Sequence, residues 1–421
     1  MIKTKEFEEC KRALISAVLS GYSCSSRFGE YLFSDPKLLV IEEAEQLGYE
    51  EDYFRDVYMR RLQEVFKKAA EKLKRTPYTR RVSIPIWRPE DHLSKNPPAI
   101  TEISFLYDEK LHLTAYLRSL DVFNYFEHNF DFLSFILEKM SLETELEAGS
   151  IAMLVAVPHI YRRDLKRAEK EAKPIEEFFG YTELATHIVD DYISSAWHSA
   201  LETIYRMGKK KRTEWDIFSG QETSNFVHRL FIEVRKPEEN RIHDKAPFTE
   251  KYGLEYAHSY VIGGEGIDVE LERNILKDGE EYSYAERARY CLKDEFKVDQ
   301  LFKAVKKLKE NCRRDCYVAI SRPWDIESSE PPCLRGYHFV KKNAKILGIF
   351  YMRSNDAYGA MHANMFAFSL LTKYAAEACG IRDYEYNHFA VDAHIYSGFM
   401  KAVEDILYPK SPKFTDFMKT T

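Results

Sequence analysis

The chain has 421 residues, 45% hydrophobic and 14% aromatic, with 62 Lys and Arg set against 68 Asp and Glu for a net charge of −6. That length exceeds one ordinary domain, and the apolar content is ample for a real core. The charge balance speaks against a nucleic-acid or membrane surface, since either favours a basic excess. No apolar run approaches the roughly 20 residues that span a bilayer, and Met1-Ile2-Lys3-Thr4-Lys5-Glu6 has no signal-type apolar stretch behind it. Seven cysteines at irregular spacing do not read as a disulfide framework, so a reducing cytoplasm is the expected home. Cys312 and Cys316 lack a second Cys or His pair that would complete a zinc site, and no metal is expected.

In chain order, helical periodicity covers 55–74 and ends just before Arg80-Arg81. A β-rich run follows (Val82 to Trp87), then the loop Asn96-Pro97-Pro98-Ala99. A strand leads to Leu117-Arg118-Ser119-Leu120-Asp121, and an apolar helix is predicted over Phe130 to Met140 before His159-Ile160-Tyr161. A charged stretch, Ala168 to Lys173, places a domain boundary within 165–185. The same order then returns. A helix over 297–311 precedes Arg313-Arg314, a β-rich run (Tyr317 to Ser321) and the loop Glu330-Pro331-Pro332-Cys333. Met352-Arg353-Ser354-Asn355-Asp356, an apolar helix (Met365 to Glu377) and His394-Ile395-Tyr396 complete it. The interval from Arg118 to Asn129 equals that from Arg353 to Asn364, and Asn129 to His159 equals Asn364 to His394. The chain therefore reads as an internal duplication, with domains over 1–175 and 176–421 and Arg80-Arg81 expected to correspond to Arg313-Arg314. Alternating strands and helices predict an α/β (α+β) class. A stretch over 213–285 is special to the second half, and its Gly263-Gly264-Glu265-Gly266 is expected to form a turn.

Pro331-Pro332-Cys333, Arg353-Ser354-x-Asp356, Asn364 and Asp392-Ala393-His394-Ile395-Tyr396, preceded by Arg313-Arg314, together resemble the thymidylate synthase and dCMP hydroxymethylase family. The resemblance is firm over 297–400, looser over 186–296, and closest to compact archaeal members. It implies two tandem domains, each a mixed sheet packed with helices. In that family each site of a dimer borrows two arginines from its partner. A tandem chain is then a covalent pseudo-dimer, in which Arg80 and Arg81 reach the Cys333 site and Arg313 and Arg314 reach the first half's pocket.

On this resemblance Cys333 is the nucleophile that adds to C6 of a uracil ring, a step needing the thiolate of a group whose ordinary pKa is about 8.5. Arg353 and Ser354 match phosphate contacts, joined by the borrowed Arg80 and Arg81 and by Arg212. Asn364 matches the residue that reads the O4 and N3–H edge of uracil. His394 and Tyr396, alternate residues of one strand, match the pair that binds the sugar hydroxyl. Asp356 and Asp392 match acids that orient their neighbours. Tyr284, in Tyr284-Ala285-Glu286-Arg287, is the candidate for proton removal at C5, and Glu255 for the general acid.

The first half keeps Arg118, Ser119, Asp121, Asn129, His159 and Tyr161 but has Ala99 in place of the thiol and Val157 in place of Asp392. Covalent catalysis is excluded there. Leu334 follows Cys333 where the family has a polar His, no Trp stands between Trp215 and Trp324, and the chain ends 25 residues after Tyr396 at position 421. The implied carrier is therefore either methylene-tetrahydrofolate or methylene-tetrahydromethanopterin, and the product carries either a methyl or a hydroxymethyl group. Two other classes compete: a nucleotide-binding protein without turnover, and an RNA pyrimidine modifier, which the net charge disfavours.

Overall fold

Strands such as Lys345–Met352 (Lys-Ile-Leu-Gly-Ile-Phe-Tyr-Met) and Ala148–Val155 are apolar on both sides, the pattern of central strands covered on two faces. They occupy those positions in the computed structural model, which describes residues 1–26, 28–48, 53–212, 223–239, 242–264, 266–310 and 313–409. The first half builds a sheet in the spatial order Ile2–Thr4, Lys37–Ile41, Ala148–Val155, Lys110–Leu117, Ile100–Asp108, Ser83–Pro85. Its successive pairings are parallel, antiparallel, parallel, antiparallel and antiparallel. From Thr186–Asp190 through Thr223–Val234, Asp383–Tyr396, Lys345–Met352 and Leu334–Lys342 to Tyr317–Ala319, the second sheet follows the same succession of senses. The short strand Gly180–Tyr181 extends its outer edge.

Each sheet is covered by helices on one side only. Phe7–Leu19, Tyr53–Arg75 and Phe126–Thr144 share a core with the first sheet; Ile193–Met207, Gln300–Leu308 and Met361–Ala378 share one with the second. Gly348 lets the helix Met361–Ala378 seat closely on its sheet, since a Cβ there would lie 2.1 Å from Thr372 Oγ1. The remaining faces meet each other. Trp87, Tyr116 and Leu154 of the first half pack in one buried cluster with Phe231, Tyr317, Tyr351 and Phe389 of the second.

Within that layer Glu102, wholly buried, accepts from Arg335 Nε at 2.8 Å and from Ser83 and Ser321 hydroxyls at 2.7 Å. Arg229, at φ +47°, crosses the same interface to donate to Thr114 Oγ1 at 2.9 Å and Leu113 O at 3.0 Å. A buried polar set satisfied from both sides fixes how the sheets sit, because breaking it strands a charge.

The Gly263-Gly264 step ends a π-helical turn over Tyr256–Ile262, both glycines at positive φ (+85° and +87°), while Glu265 lies outside the described residues. Trp215 and Cys312 also lie outside them. Cys24 is disulfide-bonded, a departure from the reduced set expected, whereas Cys10, Cys291, Cys316, Cys333 and Cys379 are free thiols.

Candidate active site

Each sheet carries a β-bulge at the start of one strand, between Ile100 and Glu102 and between Leu334 and Gly336. Such bulges end pairing and re-aim the residue before them. In the second half that residue is Cys333, half-buried at the wall of a cavity of about 500 Å³. Two preceding prolines hold its backbone, and Arg353 N donates to its carbonyl at 2.9 Å.

Arg353 follows the adjacent strand and is tied down by carbonyls: Pro331 O at 2.7 Å, Pro332 O at 3.2 Å and Arg80 O at 2.7 Å. Its Nη2 donates to Cys333 Sγ at 3.5 Å, and Ser354 Oγ lies 3.8 Å from the sulfur. Burial lowers the Arg353 pKa, with the neighbouring Cys333 opposing that shift. Arg80 comes from the first half, donates to the Tyr396 hydroxyl at 3.0 Å, and lines the cavity beside Arg81.

The strand Asp383–Tyr396 ends in the pair expected to face one way, and His394 and Tyr396 do line the cavity together. Asp392 sits wholly buried behind them and accepts from His394 Nδ1 at 2.7 Å. Burial alone would raise this carboxyl, but Lys211 at 3.5 Å and Arg80 at 3.6 Å hold it well below the usual carboxylate range. With Asp392 ionised, His394 Nδ1 carries the proton and Nε2 is an acceptor with no partner among the described residues. Burial, reinforced by Arg80, lowers the His394 pKa and keeps the ring neutral.

Asn364 lies in the first turn of the helix Met361–Ala378, its Oδ1 accepting from the Tyr256 hydroxyl at 2.8 Å. Asp356 also lines the cavity, its Oδ1 occupied by the backbone N–H groups of Tyr358 and Gly359. Tyr284 reaches the wall beside the thiol and accepts from Leu334 N at 3.4 Å. Above them stand Tyr252, Tyr256 and Tyr260, spaced one helical turn apart. Neighbouring rings are 6.2 and 5.4 Å apart with interplanar angles of 3° and 20°, and Tyr260 then meets Tyr284 edge-on at 5.0 Å. Burial pushes Tyr256 and Tyr284 well above the ordinary phenol range, so both stay protonated donors.

Two expected residues do not belong to this cavity. Glu255 is exposed, with Lys251 Nζ at 3.9 Å; its neighbour Tyr256 takes the inward position, since consecutive helical residues diverge by about 100°. Among the described residues the cavity's carboxylates are Glu330 and Asp356, neither of which bonds Asn364. Arg212 is exposed on the strand Lys209–Arg212, where alternation turns Lys211 inward instead. Burial lowers the Lys211 pKa to about 8.

The first half holds a matching cavity of about 390 Å³, with Ala99 where the other has its thiol. Arg118, Ser119, Asp121, Asn129, His159 and Tyr161 line it, together with Arg313 and Arg314 from the second half. The expected pairing of the arginines is off by one. Arg118 donates to Arg314 O at 2.9 Å as Arg353 does to Arg80 O, and Arg314 donates to the Tyr161 hydroxyl at 2.9 Å as Arg80 does to Tyr396. Arg80 therefore corresponds to Arg314, and Arg81 to Asp315.

Fold and cavity together define an α/β protein in which a half-buried cysteine lies beside guanidinium groups and a buried carboxamide, a lining suited to a planar anionic ligand. The family model for thymidylate synthase matches residues 48–192 and 200–418, and the chain belongs to that family. It is 27% identical over 212 residues to a protein named "Putative thymidylate synthase" from Methanocaldococcus jannaschii, covering 48% of this chain and 87% of the relative. Proteins of the same name from Methanosarcina barkeri and Methanothermobacter thermautotrophicus are 29% and 26% identical, covering 51% and 53% of this chain and 91% and 99% of their own length.

Proposed function

We propose that this chain transfers a one-carbon unit to C5 of a pyrimidine deoxynucleotide monophosphate of the dUMP type, and that its two halves act as a covalent pseudo-dimer. The observation that carries this reading is the Cys333 sulfur, within 3.5 Å of a guanidinium in a cavity that also presents Asn364, His394 and Tyr396. Arg353, Ser354 and the borrowed Arg80 and Arg81 take the phosphate. Asn364, its carbonyl already fixed by Tyr256, reads the O4 and N3 edge of the base. His394 Nε2, an acceptor by virtue of Asp392, takes the sugar hydroxyl. The thiolate adds to C6, and the electron pair displaced from the C5–C6 double bond makes C5 a nucleophile. C5 bonds the one-carbon unit, and the C5 proton passes to solvent beside the protonated Tyr284 hydroxyl. The C–H electron pair restores the C5–C6 double bond as S–C6 breaks and the thiolate returns; hydride from the carrier or a water would complete the methyl or hydroxymethyl group.

The Tyr252, Tyr256 and Tyr260 ladder with Tyr282 offers flat apolar faces and hydroxyl donors, a wall that fits a reduced pterin. A methylene-tetrahydrofolate or methylene-tetrahydromethanopterin bound there would supply the one-carbon unit. Release of tritium from C5-labelled dUMP, dependent on Cys333 and on one of these carriers, tests the assignment. The mass of the product then separates methyl from hydroxymethyl. A second reading, nucleotide binding without turnover, is favoured by one observation: a phenol, Tyr256, stands where the reaction was expected to place a carboxylate acid. Tight dUMP binding with no tritium release under any carrier would select it.

A further inference from the structure

The first-half cavity has kept its cations and lost two of the counter-charges that the Cys333 cavity sets against them. In the Cys333 cavity Arg80 faces Asp392 at 3.6 Å and Arg353 faces the sulfur at 3.5 Å. At the matching places in the first half stand Val157 and Ala99, neither of which can carry charge. Among the described residues, Arg118 and Arg314 have no carboxylate within ion-pair distance. Arg118 is buried and spends its donors on Pro97 O at 2.6 Å, Pro98 O at 2.8 Å and Arg314 O. Arg314 packs 4.6 Å over the Tyr31 ring and bonds Tyr161, but its Nη1 is buried with no hydrogen-bond partner among the described residues. The nearby acid is already taken: Asp315 is held bidentately by Arg313 at 2.8 and 2.7 Å and by Lys307 at 2.9 Å. Asp315 also lies close enough to favour the charged Arg118, but one carboxylate shared with Arg313 and Lys307 leaves the two adjoining guanidinium groups undercompensated in a low-dielectric site, a cost that an anion from outside relieves. Tyr58, Tyr125 and Phe132 form an aromatic wall in the same cavity, and Ala99 puts no thiol where the other cavity has Cys333.

We propose that the first-half cavity is a second, unreactive binding site for a nucleoside monophosphate, with the phosphate at Arg314 and the ring against the aromatic wall. The anion site stands on this cavity alone; the choice of a nucleotide over another organic phosphate rests on the function proposed above. The full chain is titrated with 5-fluoro-dUMP and followed by fluorine NMR, with 5-fluorodeoxyuridine and inorganic phosphate as comparison ligands. Two bound signals are expected. The non-covalent one persists in Cys333→Ala and is lost in Arg314→Met, and its site binds the phosphate-free nucleoside roughly tenfold to a hundredfold more weakly. Inorganic phosphate competes for it, but less tightly than the nucleotide. A single signal indifferent to Arg314→Met overturns the proposal, as does a second signal that the nucleoside fills equally well. Phosphate binding as tight as the nucleotide overturns the nucleotide assignment. Melting curves check that Arg314→Met is folded; if it is not, Arg314→Lys carries the test, and affinity equal to the native chain's overturns the proposal. Loss of only the Cys333-dependent signal refutes the catalytic reading and leaves this one standing.

Discussion

At the scale of single residues, Tyr256 carries more of the site than its position suggests. Its hydroxyl fixes which end of the Asn364 carboxamide is committed, at 2.8 Å, and burial keeps it protonated. Replacing it with Phe frees the amide to rotate while leaving the stacked ladder intact. Tyr256→Phe is expected to weaken dUMP binding about tenfold and to erode discrimination against dCMP, both readable by calorimetric titration. Unchanged affinity together with unchanged discrimination would refute the role assigned to it. The polar residues spaced like the family motif were legible in the sequence, because Asn364 and His394 lie on regular elements whose period fixes their direction, while Cys333 and Arg353 flank strand ends marked by Pro331-Pro332 and by the Arg-Ser step. Glu255 and Arg212 stand outside the cavity for the converse reason: where alignment is loose, a slip of one position turns a side chain away, and Tyr256 and Lys211 point inward instead. The tyrosine ladder is spaced like an ordinary core stripe, and nothing in sequence spacing alone distinguishes a ring that lines a cavity from one that fills it.

At the scale of elements, the central strands are set by a few buried histidines held neutral. His388 on the strand Asp383–Tyr396 accepts from the Tyr386 hydroxyl at Nδ1 (2.8 Å) and pairs through Nε2 with Asn355 at 3.0 Å, fixing a residue that lines the cavity. Burial pushes His388 and His338 down to about 3. Both are neutral in folded and unfolded chains above about pH 6.5, so the stability they confer is fully present there. Below it the unfolded chain takes up protons that the folded chain refuses. Stability therefore falls as pH drops from about 6.5 towards 3, by up to about 1.4 kcal/mol per pH unit for each such histidine. Urea midpoints measured from pH 7 down to pH 4.5 should decline steadily, and a flat profile would mean these rings are not buried neutral. The offset of the arginines belongs to the same scale. The sequence placed two pairs after two helices, but only the carbonyl each one offers to Arg118 or Arg353 shows that Arg80 answers to Arg314 and Arg81 to Asp315.

At the scale of the whole molecule, two sheets with the same succession of pairings meet face to face, and each half lends an arginine to the cavity of the other. The seam is held by Glu102 and Arg335, both buried. Glu102→Ala leaves the guanidinium with Asp325 at 3.5 Å as its remaining acid, and is expected to cost about 3–5 kcal/mol in denaturant unfolding. Replacing both partners with Met should recover part of that loss. A cost below about 1 kcal/mol for the single change would mean the seam does not depend on this pair. The repeated order of elements was visible in the sequence, whereas the choice of which faces meet was not, because strands buried on both sides carry no alternation to say which face looks outward.

The central claim, that Cys333 attacks a pyrimidine ring, is tested most directly by weighing the intact protein after incubation with 5-fluoro-dUMP, with and without a methylene-pterin, beside Cys333→Ala. The account predicts a mass increase by the nucleotide, or by nucleotide plus carrier, in the native chain and none in the variant. No adduct under any carrier, with dUMP binding demonstrated in the same sample, would contradict it.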